Sequence, residues 1–160
     1  EFAILAPLMI LTFVGVVELS HTMTVSRKVS AATYSVADLL SRYEEVFDSD
    51  IQDIFTMADT ILVPYDTGNL AVRLTSVNIN LDGTTEVGWS DAKNMNPLNQ
   101  GASFVLPDGL GEPGGSVVIV ETSYDHETIT IAGELIFGGS TTLSDHAYVK
   151  PRMTDRVVRN

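Results

Sequence analysis

Histidines, clustered acids and a glycine-rich loop are the features of this sequence that could support catalysis or metal binding. The three histidines lie far apart without an H-x-x-x-H spacing, so we expect no zinc site; they are His21, His126 and His146. The acidic group lacks the spacing of a calcium-binding loop and is expected to be solvated; it comprises Glu44, Glu45, Asp48, Asp50 and Asp53. The loop from Gly101 to Gly115 carries no Lys to hold a phosphate, and no G-x-S-x-G motif is present. The sequence therefore predicts a protein that is not an enzyme and has no metal and no cofactor.

The charge and the absence of cysteine restrict the possible partners. The formal net charge is −12 and the pI is about 4.4, which argues against nucleic acid because phosphate contacts need clustered Lys and Arg. The absence of cysteine excludes disulfides and thiolate metal ligands. The 160 residues allow an N-terminal helix and one modest globular core.

Two carboxylates, Glu1 and Glu18, flank a run with no charged residue. As a helix this run extends roughly 24 Å, so it must be buried in lipid or among copies of itself. A carboxylate beside such a run needs a partner or water. We predict that Glu18 pairs with Arg27 or Lys28, either in the same chain or in a neighbouring subunit; a solvated interface position is the alternative that the sequence leaves open.

Two further residues of the run affect how the helix packs. Pro7 removes one backbone hydrogen bond, which bundled helices and membrane anchors both tolerate. Gly15 allows another helix to approach closely. Since the sequence starts without Met or a basic segment, we expect that a leader has been removed and that the apolar segment is retained.

Helical periodicity continues beyond the apolar run. Apolar residues recur at intervals of three and four, as expected for one helix face: Val25, Val29, Ala32, Val36, Leu39, Tyr43 and Val46. The expected units are a membrane or filament-core helix over residues 1–26 and an amphipathic continuation with a head over residues 27–160. The helix is predicted to end near Asp48, where Ser49 and Gln52 resemble a capping box that opens a second helix, and Pro64 ends that second helix.

From Leu70 the apolar period changes to two, which indicates strands. The alternation changes phase after Leu74, predicting a bulge near Ser76, and Asp82-Gly83 predicts a type I′ hairpin whose return strand packs Trp89. A long surface loop is expected from Asn94 to Gly115, followed by further strands. The predicted fold is α+β and pilin-like, with a long N-terminal helix, a short second helix and a small antiparallel sheet.

Residue identity at the N-terminus adds a family resemblance. The segments Glu1-Phe2-Ala3-Ile4-Leu5-Ala6-Pro7-Leu8 and Gly15-Val16-Val17-Glu18-Leu19 resemble the N-terminus of TadE-like pseudopilins of tight-adherence (Tad) pili, within the type IV pilin-like superfamily. Parts of the predicted strands also look similar to that family. The resemblance implies cleavage by a prepilin peptidase and a role for Glu1 in neutralising the N-terminal amine of a neighbouring subunit. Because the family places this glutamate at the fifth position, upstream residues are missing or processing differs.

The resemblance implies a structural subunit of an extracellular filament, held in the inner membrane before assembly. The expected partners are copies of itself or other pilins, the pilus assembly machinery and the prepilin peptidase. The expected assembly residues are Glu1, Phe2, Pro7, Gly15, Glu18, Arg27 and Lys28. Two alternatives stay open: a minor pseudopilin, and a membrane-tethered or tip adhesin that binds a surface ligand through its head loops.

Overall fold

The computed structural model describes the backbone of residues 2–107, 109–130, 133–134 and 138–160, and the side chains of this set from Leu5 onward. Two helices come first, α1 (Phe2–Leu40) and α2 (Asp48–Leu62), with the short strand β1 (Glu45–Val46) between them. The strands β2 (Leu70–Ile79), β3 (Thr85–Lys93), β4 (Ser116–Glu127) and β5 (Ser140–Val149) form an antiparallel sheet in the order β3-β2-β4-β5. The short strand β6 (Val158–Arg159) pairs with β1 in parallel. The predicted α+β, pilin-like layout is confirmed.

One face of the sheet packs on the second half of α1 and on α2. The helix face predicted from its spacing is buried at Val25, Val29, Ala32 and Val36, and Leu40 completes it. The even-numbered residues of β2 face this core through Leu70, Val72 and Leu74. The head is therefore built around the C-terminal half of α1, and most of the N-terminal half projects beyond it.

The end of α1 differs from the prediction. The helix ends at Leu40, and Tyr43 and Val46 lie beyond it. The carbonyl of Ser41 accepts a hydrogen bond from the backbone N–H of Arg152 at 2.8 Å, and Val46 is buried in β1 beside β6. Pairing with the distant C-terminal segment prevails over the local helical pattern.

The start of α2 also differs in detail. The residue before the helix is Phe47, and the Asp50 carboxylate accepts a hydrogen bond from its backbone N–H at 2.8 Å. The predicted capping pair of Ser49 and Gln52 is therefore wrong, because the N-cap is Phe47, two residues earlier than Ser49. The predicted end is correct, since α2 stops two residues before Pro64.

The bulge predicted near Ser76 is present, but its extra residue lies on the partner strand. Ser76 pairs with Trp89 and Val77 with Val87, which leaves Gly88 as the additional residue of β3. A Cβ at Gly88 would lie 2.8 Å from the Asn78 side chain, so glycine suits this position. The strand β2 itself runs without a break, and its apolar residues change face.

A second apolar cluster covers the opposite face of the sheet. It contains Val77, Ile79, Val117 and Ile119, and the loop between β3 and β4 places Phe104 and Leu106 on it. The same loop hydrogen-bonds the outer edge of β3, where the Val87 N–H reaches the Ala102 carbonyl at 2.9 Å. The predicted surface loop thus covers part of the core and one sheet edge.

The β2–β3 hairpin forms at Asp82-Gly83, but its turn is not type I′. The Gly83 N–H donates to the Asn80 carbonyl at 3.0 Å, and only Gly83 of the turn has a positive φ, 83°. A type I′ turn needs positive φ at two consecutive residues, and here Leu81 and Asp82 lack it. Trp89 is buried as expected, and its indole N–H donates to the Val157 carbonyl at 2.8 Å.

Candidate functional site

The N-terminal half of α1 exposes apolar side chains on every side. Exposed residues occur at consecutive positions; among the large ones are Leu8, Met9, Ile10, Leu11, Phe13, Val16, Leu19 and Met23. Successive residues of a helix point about 100° apart, so four consecutive exposed positions cover its whole circumference. Phe13, for example, is 70% exposed. We call the segment from Leu5 to Met23 the apolar band.

The length and composition of α1 suit a membrane. It is the one helix in the described part of the chain that is long and apolar enough to cross a bilayer. The apolar band alone extends about 27 Å, close to the roughly 30 Å hydrocarbon layer. A helix that is apolar all round must be buried in lipid or among other helices.

Glu18 lies inside the apolar band and is shielded by the head. It is only 2% exposed. Its Oε1 accepts a hydrogen bond from the backbone N–H of Ile129 at 3.1 Å, and its Oε2 accepts one from the Thr130 hydroxyl at 3.0 Å. The Thr130 Oγ1 in turn accepts from the Gly133 N–H at 2.9 Å. These residues form what we call the Glu18 clamp, which joins Ile129, Thr130 and Gly133, between β4 and β5, to α1.

The clamp replaces the ion pair predicted for Glu18. Among the described residues Glu18 forms no salt bridge with Arg27 or Lys28 of its own chain. The Lys28 Nζ donates to the carbonyl oxygens of Val63 at 2.6 Å and Ile61 at 3.1 Å, at the end of α2. Because α2 has no basic residue in its last turn, Lys28 supplies the favourable charge there. A pair between subunits stays a prediction.

The other predicted assembly residues have different surroundings. Glu1 lies outside the described residues, and Phe2 is the first residue of α1. The helix continues through Pro7, which is exposed, and a Cβ at Gly15 would contact nothing within 4 Å. Arg27 is exposed above the apolar band. Their roles in assembly therefore stay predictions.

Two histidines that are distant in sequence are adjacent in the structure. The His21 Nδ1 lies 3.4 Å from the buried His126 Nε2, and Tyr65 packs edge-on against the His21 ring. Sequence separation was therefore a poor reason for treating these histidines as isolated. Within the described ranges no group of three or more His, Cys, Asp or Glu is placed to hold a metal ion. The cluster joins α1 to β4 one turn above the Glu18 clamp.

The clamp and the histidine pair could not be found from local sequence patterns. Ile129, Thr130 and Gly133 follow β4 by only a few residues but lie more than 110 positions after Glu18. Ile129 contributes a backbone N–H, which has no side-chain signature. The only available signal was a carboxylate within an apolar run, which indicates a partner without identifying it.

The fold and the exposed helix place the chain among proteins with an apolar N-terminal helix and an α+β head. Comparison with family profiles then identifies the helix: residues 1–38 match the family described as TadE-like protein. The match confirms the resemblance predicted from the N-terminus and ends within α1. It leaves the similarity of the strands untested. Searches of curated proteins and of solved structures gave no match.

The Glu18 clamp predicts the effect of removing its carboxyl group. In Glu18→Ala, the Ile129 N–H and the Thr130 hydroxyl lose their acceptors, at a cost of about 1–3 kcal/mol. We expect the connection between β4 and β5 to detach from α1 and become a site of protease cleavage. Limited proteolysis in detergent with mass mapping of the fragments measures this.

Two glycine variants provide the matched comparison. A Cβ at Gly133 would lie 2.8 Å from the Glu18 Cδ, so Gly133→Ala should also increase cleavage in the connection. Gly15→Ala adds a methyl group where there is open space and should leave cleavage unchanged. Equal protection of the connection in wild type, Glu18→Ala and Gly133→Ala would show that the clamp does not hold it.

The histidine pair predicts a pH dependence of stability. Burial lowers the pKa of His126, and His21 lowers it further, while Glu18 opposes both effects. The unfolded chain therefore takes up a proton near pH 6.5 that the folded chain resists. We expect the free energy of unfolding to fall as pH decreases from 7.5 to 5.5. Chemical denaturation in detergent over this range measures the slope.

Two single variants assign that slope to His126. His126→Gln should flatten it, whereas His146→Gln, at an exposed position, should retain it. The other ionisable groups that line the same shallow pocket are Asp66, Glu127, Tyr65 and Tyr124, and all four are present in both variants. An unchanged slope in His126→Gln would contradict the assignment.

Proposed function

We propose that this protein is a structural subunit of an extracellular, type IV pilus-like filament of the Tad type. The TadE-like match supports a component associated with a Tad pilus, and the apolar band supports assembly through the helix. The single observation that carries the proposal is the exposure of large apolar residues around the whole circumference of α1 between Leu8 and Phe13. A helix that anchors a protein in lipid needs this surface, and so does a helix in the core of a filament.

Assembly would exchange lipid for neighbouring helices. Before assembly the apolar band crosses the inner membrane, and in the filament the same band packs against copies of itself or other pilins. Glu1 would neutralise a neighbouring amine, and Pro7 and Gly15 would shape the helix contacts. Glu18 has a different role from the one expected for Glu1, because its partners belong to its own head.

The acidic head would face solvent. The net charge of −12 keeps exposed surfaces soluble and mutually repelling, so attraction between subunits must come mainly from the helix. Prepilin peptidase and the pilus assembly machinery are the partners that the resemblance implies.

Photo-crosslinking from the apolar band tests the proposal. A benzoylphenylalanine in place of Ile10, which is exposed, is expected to give adducts with other copies or other pilins in sheared filaments. The matched control carries the same photoprobe at Val105, an exposed position in the head loop far from α1 in sequence. Adducts confined to lipid, with none in a filament fraction, would contradict the proposed subunit role.

The alternative of a membrane-tethered or tip adhesin rests on one cleft of the head. This cleft has a volume of about 380 Å³ and is lined by polar and aromatic groups that include Asn78, Trp89, Gln100 and Arg156. Binding of a surface polymer by the full chain in detergent would favour the adhesin. A full chain that binds no surface polymer would favour the filament subunit.

A further inference from the structure

The base of the head lies at the same level as the upper part of the apolar band. Glu18 and His21 belong to the band, and both contact residues that follow or belong to β4. Glu18 lies five residues before Met23, which corresponds to about 7.5 Å along the helix. The head therefore does not begin where the apolar surface ends; the two overlap.

This overlap brings head residues to the depth of the membrane boundary. If the apolar band from Leu5 to Met23 fills the hydrocarbon layer, the exposed Arg27 lies about one turn above it, at the level of the headgroups. Ile129 and Thr130, which contact Glu18, then lie below Arg27 and inside the band.

Part of the surface at this level is apolar or uncharged, whereas Asp66 and Glu127 line a neighbouring pocket with His21 and would have to lie among the headgroups. Ile129 is 55% exposed and donates its backbone N–H to Glu18, and Leu19, the next residue of the helix after Glu18, is also exposed, so the head carries an exposed apolar side chain at the level of the apolar band. A pocket of about 200 Å³ lies between helix and sheet here, lined by Glu18, Leu19, Thr22, Thr128 and Thr141. From residue 128 to 139 the sequence holds a single charged residue, Glu134. Such a segment can enter the boundary between acyl chains and headgroups at little electrostatic cost.

We propose that the base of the head, comprising Ile129, Thr130 and the adjoining pocket, is a second membrane-contacting surface whose partner is the phospholipid boundary layer. The inference rests on the membrane stage of the proposed function. In this arrangement the Glu18 clamp separates a carboxyl group from lipid without help from another subunit. It also fixes the head directly against the bilayer, so a subunit must withdraw both the helix and this base to enter a filament.

Site-specific fluorescence in lipid vesicles tests the proposal. Because the chain has no cysteine, single-cysteine variants of the full chain each carry one nitrobenzoxadiazole label. The probes are Ile129→Cys and, at an exposed position of the pocket rim, Thr141→Cys. Vesicles of phosphatidylethanolamine and phosphatidylglycerol contain a lipid with a nitroxide near the glycerol end of one acyl chain, which quenches labels at the boundary layer.

Two reference positions make the results interpretable. Leu11→Cys reports insertion of the helix, and Leu81→Cys, which is 85% exposed at the hairpin turn, reports a head position in water. We expect blue-shifted emission, loss of most intensity to the nitroxide lipid and protection from aqueous dithionite at Ile129 and Thr141. The label at Leu81 should show none of these effects.

The labels distinguish a failure of the proposed lipid contact at the base of the head from a failure of the membrane stage of the proposed function. If Leu11 enters lipid while Ile129 and Thr141 behave like Leu81, the base of the head stays in water and the inference is overturned alone. If Leu11 also stays accessible to dithionite, the helix does not insert, and the membrane stage and the inference fall together. A misfolded Ile129→Cys variant leaves Thr141→Cys as the deciding probe.

Discussion

Phe13→Asp is expected to reduce membrane association and filament incorporation by roughly a hundredfold. Phe13 is exposed in the middle of the apolar band, and an aspartate there costs roughly 3 kcal/mol or more when the helix inserts into lipid. The same unpaired charge would have to be buried in a filament core. Carbonate extraction of membranes and the amount of the variant in sheared filaments measure the two effects.

Two variants control for charge and for the aromatic ring. Thr24→Asp adds the same charge at an exposed position just beyond the apolar band and should retain most membrane association. Phe13→Leu keeps an apolar side chain and should assemble normally. Circular dichroism should show a folded head in all three variants, since Phe13 is exposed and lies outside both core clusters of the described residues. Normal assembly of Phe13→Asp would exclude the apolar band as the assembly surface.

Leu40→Ala is expected to lower the free energy of unfolding by about 2–5 kcal/mol. Leu40 is fully buried in the main core cluster, at the last residue of α1, where helix and sheet meet. Removing its side chain leaves a cavity that the surrounding residues fill only in part. For a protein of this size the melting temperature should fall by roughly 4–20 °C. Thermal denaturation of the full chain in detergent measures the change.

Tyr34→Ala is the matched control on the same helix. Tyr34 is exposed, so its truncation should change the free energy of unfolding by about 0.5 kcal/mol or less. A similar loss of stability in both variants would mean that the head is not organised around the buried face of α1.

The spacing of apolar residues predicted those helices and strands in which such residues recur at a regular interval. The buried face of α1 from Val25 to Val36, the apolar face of α2 and the alternation of β2 from Leu70 to Leu74 appear where the spacing places them. These patterns reflect burial against one side of an element, so they can be read without knowledge of the partner.

Features that depend on distant partners were missed. The C-terminal segment ends α1 at Leu40 by pairing with β1, and the loop after β3 covers a second cluster on the sheet. The bulge was predicted on β2 because its apolar residues change face there, yet the extra residue is Gly88 on β3. In each case the deciding contact lies far along the chain.

In the candidate site, too, features set by local composition were predicted and contacts with distant residues were missed. The run between Glu1 and Glu18 was predicted from its length and absence of charge, whereas the exposed apolar surface of the band continues past Glu18 to Met23. For Glu18 the need for a partner was predicted, but the ion pair with Arg27 or Lys28 was wrong within the chain because the partners are a backbone N–H and a hydroxyl of the head. Contacts of this kind leave no charge pattern in the sequence.

If the apolar band forms the core of a filament, electron cryomicroscopy of filaments sheared from native cells, together with mass spectrometry of their subunits, will show it directly. We expect this chain to be a stoichiometric subunit, with residues 5–23 packed near the filament axis and the acidic head outside. A chain that is absent from the filaments and stays in the membrane fraction would contradict the claim.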